Sequence, residues 1–277
     1  MSSLTISNTL ANAALSPLEQ YSRALLERLD EASTGHSINS AADAPSGLAI
    51  YNSLTAQANG FAAAAQNVST ANDAVSVADG ALQQTQTGLQ SLSALAVQAN
   101  NDFLSNADRA DLQTVANQLV RQINTNAQNA TFNGQPLLQG TSAGQAAGVQ
   151  SGASEGATTA LNLPNGTAVA NFIQNIDLSS SAGATAAQGQ IDEAIPAIAN
   201  ARAELGAQSQ ALTAQGNNND ITAANLTASA SSIGDANQAQ VSTELALLRT
   251  KQQISLATLQ NANTTLGYLN RFFNIPA

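Results

Sequence analysis

Cysteine and tryptophan are missing from this 277-residue chain, histidine occurs once, and only 9% of the residues are charged. Without cysteine there is neither a disulfide framework nor a thiolate metal site, which suits an extracellular life free of uncontrolled oxidation. A single histidine cannot complete a zinc site by itself. Eight Lys and Arg against eighteen Asp and Glu give a formal charge of −10. Phosphate backbones are gripped by clustered cations, and here the cations are few and scattered, so nucleic acid is not an expected partner. Long apolar runs are lacking too, which argues against a membrane span. Met1 to Leu15 have no basic start and no continuous apolar stretch, so they do not read as a cleavable signal peptide; on composition alone the chain is cytoplasmic or leaves the cell by a route that reads something else. Aromatics at 3% cannot fill a wide core; the Ala, Leu, Ile and Val present suit narrow seams between closely packed helices.

The chemistry-bearing residues form no catalytic constellation. His36 lies in a polar turn, and the abundance of Ser and Asp makes any paper triad built on it worthless. Asp108 and Asp111 sit near a helix start, where carboxylates favour the positive end of the helix dipole. Capping explains them better than acid–base work. No catalytic, cofactor-binding or metal-binding residue is expected, and the chain is read as a non-enzyme.

What is abundant is helical period. Leu15, Leu18, Leu25 and Leu29 follow the three-four spacing of an amphipathic helix, which turn-forming residues from Ala32 to Ser40 then interrupt. After Pro45, Leu54, Phe61, Val68, Val75, Leu82 and Leu89 fall seven apart, followed in step by Ala96. Their companions Ala64, Ala71, Ala78 and Leu92 are mostly small, allowing close helix approach. A helix from about 43 to 99 would be roughly 85 Å long. A second helix is expected over about 107–129, with Ser105 or Asn106 as its cap. Turn chemistry from Phe132 to Leu138 and from Leu161 to Val169 predicts a small β region over about 131–177. Gly140 to Thr159 reads as a mobile surface segment between them. Helical period returns at Ile191, Ile195, Ile198, Leu205 and Leu212, with Pro196 expected to kink the helix or mark a late start. A bend or fraying is expected at Gly216 to Asp220. Val241, Leu245, Leu248, Leu259, Leu266 and Leu269 close the pattern. The class is mainly α: long coiled-coil helices from both termini around one small β-hairpin region. Terminal stripes this narrow cannot be stable alone, so the ends should pair with each other and then with neighbouring copies.

Several blocks resemble the bacterial flagellin family. Ser37-Ile38-Asn39-Ser40-Ala41-Ala42-Asp43 running on to Gly47-Leu48-Ala49-Ile50 is similar to its amino-terminal signature. Leu89-Gln90 with Leu95-Ala96-Val97-Gln98-Ala99 is similar to its L-Q-R-x-R-E-L-A-x-Q block, and Thr131-Phe132-Asn133-Gly134 to its T-x-F-N-G turn. Arg202-Ala203-Glu204-Leu205-Gly206-Ala207 and Ile233-Gly234-Asp235-Ala236-Asn237 follow in the family's order. The chain departs from the pattern at Ala32, at Ser37 and in its ending, Arg271 to Pro276.

The resemblance implies a self-assembling subunit of the extracellular flagellar filament. Residues 1–42 and 233–277 would form the inner core domain, and residues 43–232 an outer helical domain with the β insert. Leu15, Leu18, Leu25, Leu29, Leu245, Leu248, Leu259, Leu266 and Leu269 are then the expected polymerisation residues. The implied partners are further copies of the chain, an export chaperone, a cap protein and hook-associated proteins. Exposed Ser151, Ser154, Thr158 and Thr159 are candidate O-glycosylation points by resemblance. In relatives detected by the mammalian flagellin receptor, two arginines and a glutamate stand in the L-Q-R-x-R-E block. Here Leu89, Gln90, Ser91, Ser93, Ala94 and Leu95 occupy that stretch, which predicts a weakened receptor contact. Two other readings fit the pattern: a hook–filament junction protein, and a secreted coiled-coil adhesin using the same export route.

Overall fold

A computed structural model describes residues 2–139 and 146–273. The elements in order are α1 (Ser2–Thr34), α2 (Pro45–Ala99), α3 (Asn106–Asn129), β1 (Thr131–Phe132), β2 (Gln135–Pro136), β3 (Ala146–Gln150), β4 (Thr158–Asn162), α4 (Gly166–Phe172), α5 (Ser181–Gly234) and α6 (Gln238–Phe273). The chain divides into two compact units, residues 1–56 with 226–277, and residues 57–225.

In the unit of residues 57–225 the seven-residue repeat of α2 becomes the core. Val68, Val75, Leu82, Leu89 and Ala96 are buried, as are the small companions Ala64, Ala71 and Ala78 and the larger Leu92. Ala116, Val120 and Ile123 from α3 and Ile191, Ile198, Leu205 and Leu212 from α5 complete the same cluster. The start of α3 is a capping box. The Asp108 backbone N–H donates to the Ser105 hydroxyl, and the Asp108 carboxylate accepts from the Ser105 backbone. The Ser105 hydroxyl (2.7 Å) and its backbone N–H both donate to the Asp108 carboxylate and hold it below its ordinary pKa, the hydroxyl contributing more than the backbone.

Three sequence expectations are corrected in this unit. The stretch read as mobile, Gly140 to Thr159, holds β3 and the start of β4, and residues 146–150 and 158–162 pair as an antiparallel ladder from Ala146↔Asn162 to Gln150↔Thr158; residues 140–145 lie outside the described residues. The ladder is anchored because Ser151, buried at its end, offers its carbonyl to Asn219 Nδ2 (2.9 Å) and Gln215 Nε2 (3.3 Å) of α5. The Ser151 hydroxyl donates to the Ala157 carbonyl and accepts from Thr159, so of the four glycosylation candidates Ser151 is enclosed while Ser154 and Thr158 are exposed. The β region expected to run on to about 177 is instead helical around Val169, in α4. Asn165 Oδ1 accepts from the Thr167 hydroxyl, and the Thr167 N–H donates to the Leu138 carbonyl at the helix start. The third correction is α5, which begins at Ser181 instead of starting late at Pro196 and stays helical through Gly216 to Asp220. An interior proline costs roughly 3 kcal/mol of helix stability. Burial of Ile191, Ala194 and Ile198 on either side of Pro196 outweighs it.

The T-F-N-G turn is a two-residue hairpin, with Thr131↔Pro136 and Phe132↔Gln135 in register. Asn133 (φ 50°) and Gly134 (φ 76°) both take positive φ, the geometry Asn-Gly adopts with least strain.

Candidate functional site

Among the described residues, the unit made from the two chain ends buries few apolar side chains. Helix α1 packs along α6, and the paired positions run in opposite order: Arg28 meets Glu244, Tyr21 meets Lys251, and Ser22 meets Gln252. The two helices are therefore antiparallel. Among the described residues of this unit the buried apolar side chains are Ala230, Val241 and Ala262, none of them large.

The electrostatic clamp of the pair is Arg28. Its guanidinium reaches the nearly buried Glu31 at 2.5 Å on its own helix and Glu244 at 2.8 Å on the other. The hydrogen bond to Glu31 is the largest influence raising its pKa above the ordinary arginine value, against a smaller opposing effect of burial.

Of the leucines singled out from the sequence, Leu18, Leu25, Leu245, Leu248 and Leu259 are half-buried, and Leu15 and Leu29 are exposed. The side chains of Leu266 and Leu269 lie outside the described residues. A second apolar set escaped the sequence reading. Leu26, Leu247, Ile254, Leu256 and Tyr268 are all exposed, Leu26 at 67% and Tyr268 at 71%. Leu247, Ile254 and Tyr268 fall on one seven-residue row, with Asn261 completing it. That row sits one position before Leu248, and the stronger leucine stripe masked it.

The helix pair is joined at its base by a tight knot. Backbone bonds Ser37 N–H→Gly234 O (2.7 Å) and Ala236 N–H→Gly35 O (2.8 Å) tie the α1–α2 loop to the α5–α6 loop. His36 Nδ1 lies 3.1 Å from Asp235 Oδ1 and its ring meets Tyr51 edge-on, while the Ser231 hydroxyl donates to the other Asp235 oxygen. The lone histidine is thus a loop residue with a structural partner. Gly234 admits the Tyr51 ring, since a Cβ there would stand 2.5 Å from two ring carbons.

Asp43 closes the α1–α2 loop by accepting the N–H groups of Ser40 (2.7 Å) and Asn39 (2.9 Å). Those bonds, Ser40 first, hold its carboxyl below the ordinary value. A depressed pKa means that the contribution is complete above the unfolded value of about 3.9 and is lost as pH falls through the lower folded value. Amide-exchange protection at Ser40 should therefore hold at pH 5 and decline in stronger acid. Asp43→Ala should lose that protection already at neutral pH; unchanged protection in this variant would refute the assignment.

In the block aligned with the receptor contact, Leu89 is buried, Ser93 and Leu95 are half-buried, and Gln90, Ser91 and Ala94 face outward. No cation stands among them. No group of three or more His, Cys, Asp or Glu poised for a metal occurs among the described residues.

Comparison with known proteins now has a geometry to explain. Residues 6–143 match the family model of the bacterial flagellin N-terminal helical region, and residues 189–269 that of the C-terminal helical region. A flagellin of Listeria monocytogenes is 30% identical over 274 residues, covering 93% of this chain and 94% of that protein. Flagellin FlaB1 of Treponema pallidum is 31% identical over 251 residues, covering 86% and 88%. Among solved structures, Bacillus cereus flagellin aligns with a TM-score of 0.50 at 26% identity, covering 56% of this chain and 88% of that one. A putative flagellar hook-associated protein of Vibrio parahaemolyticus aligns at 0.58 with 17% identity, covering 70% and 100%.

Proposed function

This chain belongs to the bacterial flagellin family and is a structural subunit of the flagellar filament, and from that premise we propose that the α1–α6 pair is its principal assembly surface. The observation carrying this is how little apolar surface the pair buries among the described residues. With Val241 and Ala262 as its buried apolar side chains there, and Leu15, Leu26, Leu29, Leu247 and Ile254 exposed, the pair reaches stability when other copies cover those rows. Leu18, Leu25, Leu245, Leu248 and Leu259 serve the seam within each subunit, together with Leu266 and Leu269 by their spacing. The exposed rows meet the neighbours.

Residues 1–42 with 233–277 act as the inner domain and residues 43–232 as the outer one. Export proceeds without signal cleavage, with a chaperone covering α6 before secretion and cap and hook-associated proteins meeting the subunit at the filament's ends. The subunit carries no catalysis. The junction-protein reading is less favoured, because the hook-associated neighbour at 17% identity shares the fold alone, whereas flagellins match at about 30% across most of the chain. The adhesin reading has no observation in its favour. Purified protein, salted out and seeded with sheared filament ends, should give long uniform filaments by negative-stain microscopy; persistent monomers with intact termini would overturn the proposal.

Ser91, Ser93 and Ala94, at the positions of the two arginines and the glutamate, lack the charge that such a receptor contact needs. Loss of such anchors costs on the order of a few kcal/mol. Purified monomer should activate a receptor reporter cell poorly, and full potency would show that the contact does not depend on this block.

A further inference from the structure

The chain holds three Asn-Gly pairs, Asn59-Gly60, Asn133-Gly134 and Asn165-Gly166. This dipeptide carries a reaction of its own, because no side chain hinders the glycine amide. Once the glycine N–H has lost its proton to hydroxide, the nitrogen attacks the asparagine Cγ. The N–Cγ bond forms, the Cγ–Nδ2 bond breaks, and ammonia departs, leaving a five-membered imide. Water then opens the ring at one of its two carbonyls. One opening gives aspartate; the other gives isoaspartate, in which the main chain runs through the side-chain carbon. Water is the sole co-reactant, and nothing is oxidised or reduced.

The attack needs a glycine nitrogen free of the fold and an asparagine free to turn towards it. The reacting pair is the same at all three places, so the fold decides among them. Gly60 lies inside α2, where interior N–H groups are bonded to carbonyls one turn back. It is also packed against the tip of the second hairpin, since a Cβ on it would stand 2.8 Å from that of Ala153. Gly166 is buried at the start of α4, where a Cβ would stand 3.1 Å from that of Leu138. Asn165 beside it accepts the Thr167 hydroxyl at 2.7 Å, so its side chain is held.

Asn133 and Gly134 differ on each count. Both are exposed, and a Cβ on Gly134 would meet nothing within 4 Å. Among the described residues, neither the Asn133 side chain nor the Gly134 N–H has a hydrogen-bond partner. Ring closure requires the Asn133 backbone to rotate out of its left-handed turn. The ladder resisting that rotation is only Thr131↔Pro136 and Phe132↔Gln135, and so short a hairpin opens at little cost.

We propose that Asn133 is the site of spontaneous deamidation in this protein, a slow chemical clock set by the hairpin, while the fold shields Asn59 and Asn165. This chemistry is independent of assembly. It has a structural consequence, because isoaspartate lengthens the backbone of a two-residue turn whose register depends on positive φ at both Asn133 and Gly134. Pairing lost there loosens the chain just before Leu137 and Leu138, both buried in the core of this unit. Each event also adds a negative charge to a chain already at −10.

The test is full-length monomer kept warm for weeks in mildly alkaline buffer and mapped by peptide mass, with isoaspartate identified by enzymatic methylation of its carboxylate. Acid in place of amide should appear at Asn133 at least about tenfold faster than at Asn59 or Asn165, since those two react only from locally opened states. In denaturant the three should convert at similar rates, because the shielding is then gone. Aged monomer carrying isoaspartate at Asn133 should also unfold at a lower denaturant concentration than fresh monomer. Folded protein in which Asn133 keeps its amide as long as Asn59 or Asn165 does overturns the proposal, and so does a preference for Asn133 that survives in denaturant.

Discussion

A chain lacking residues 1–30 is expected to form no filaments under any salt or seeding condition that polymerises the full chain, and so is a chain lacking residues 245–277. The first deletion removes Arg28 and with it the bridges to Glu31 and Glu244 that pin α1 to α6. The second removes the partner positions Lys251 and Gln252 and the exposed row from Leu247 to Tyr268. In either case one long helix loses its mate, and an isolated amphipathic helix of this kind is marginal in water. The rest of the molecule should remain folded. Its apolar cluster, from Val68 to Leu212, lies wholly within the unit of residues 57–225. Circular dichroism should thus retain a cooperative thermal transition while microscopy shows only monomers. Filaments from either truncated chain would exclude the terminal pair as the main assembly surface.

The second large effect is expected at Arg109. Its guanidinium serves three backbone carbonyls that α2 and the following turn leave without helical partners. Ala99 is fully buried, so its carbonyl has no ready replacement in water. Arg109→Ala should destabilise the monomer by roughly 3 kcal/mol, allowing for about 1.5 kcal/mol or more per charge-assisted bond and for partial hydration of the two more exposed carbonyls. Arg109→Lys should recover only a fraction, because a single ammonium cannot span three acceptors as a planar fork does. Denaturant unfolding of the full-length monomer measures both. A lysine variant as stable as the parent would show that charge, and not the fork geometry, holds the turn.

Much of this molecule was legible in its residue order. The seven-residue repeat from Val68 to Ala96 depends only on the pitch of a helix, and it marked the core stripe of α2 correctly. The cap at Ser105 and the Asn133-Gly134 hairpin are equally local, since each is decided by a few neighbouring residues. Reading failed where a distant element intervenes. Pro196 and Gly216 to Asp220 look like interruptions, yet α5 continues because Ile191 and Ile198 are buried and Asn219 is bonded to Ser151, sixty-eight residues away. The segment after Gly140 looks unstructured for the same reason: the groups that anchor Ser151 lie on another helix.

At the assembly surface the division is sharpest. Spacing alone established that both ends are amphipathic helices, and the order of the motifs pointed to the flagellin family. Periodicity ranks apolar positions by strength, however, and says nothing about which row a partner covers. Only the packing of α1 against α6 turned Leu18, Leu25 and Leu248 inward and left Leu26, Leu247 and Ile254 facing out. Helix period is a property of the local chain, whereas burial depends on what stands opposite, and that was decided by tertiary structure.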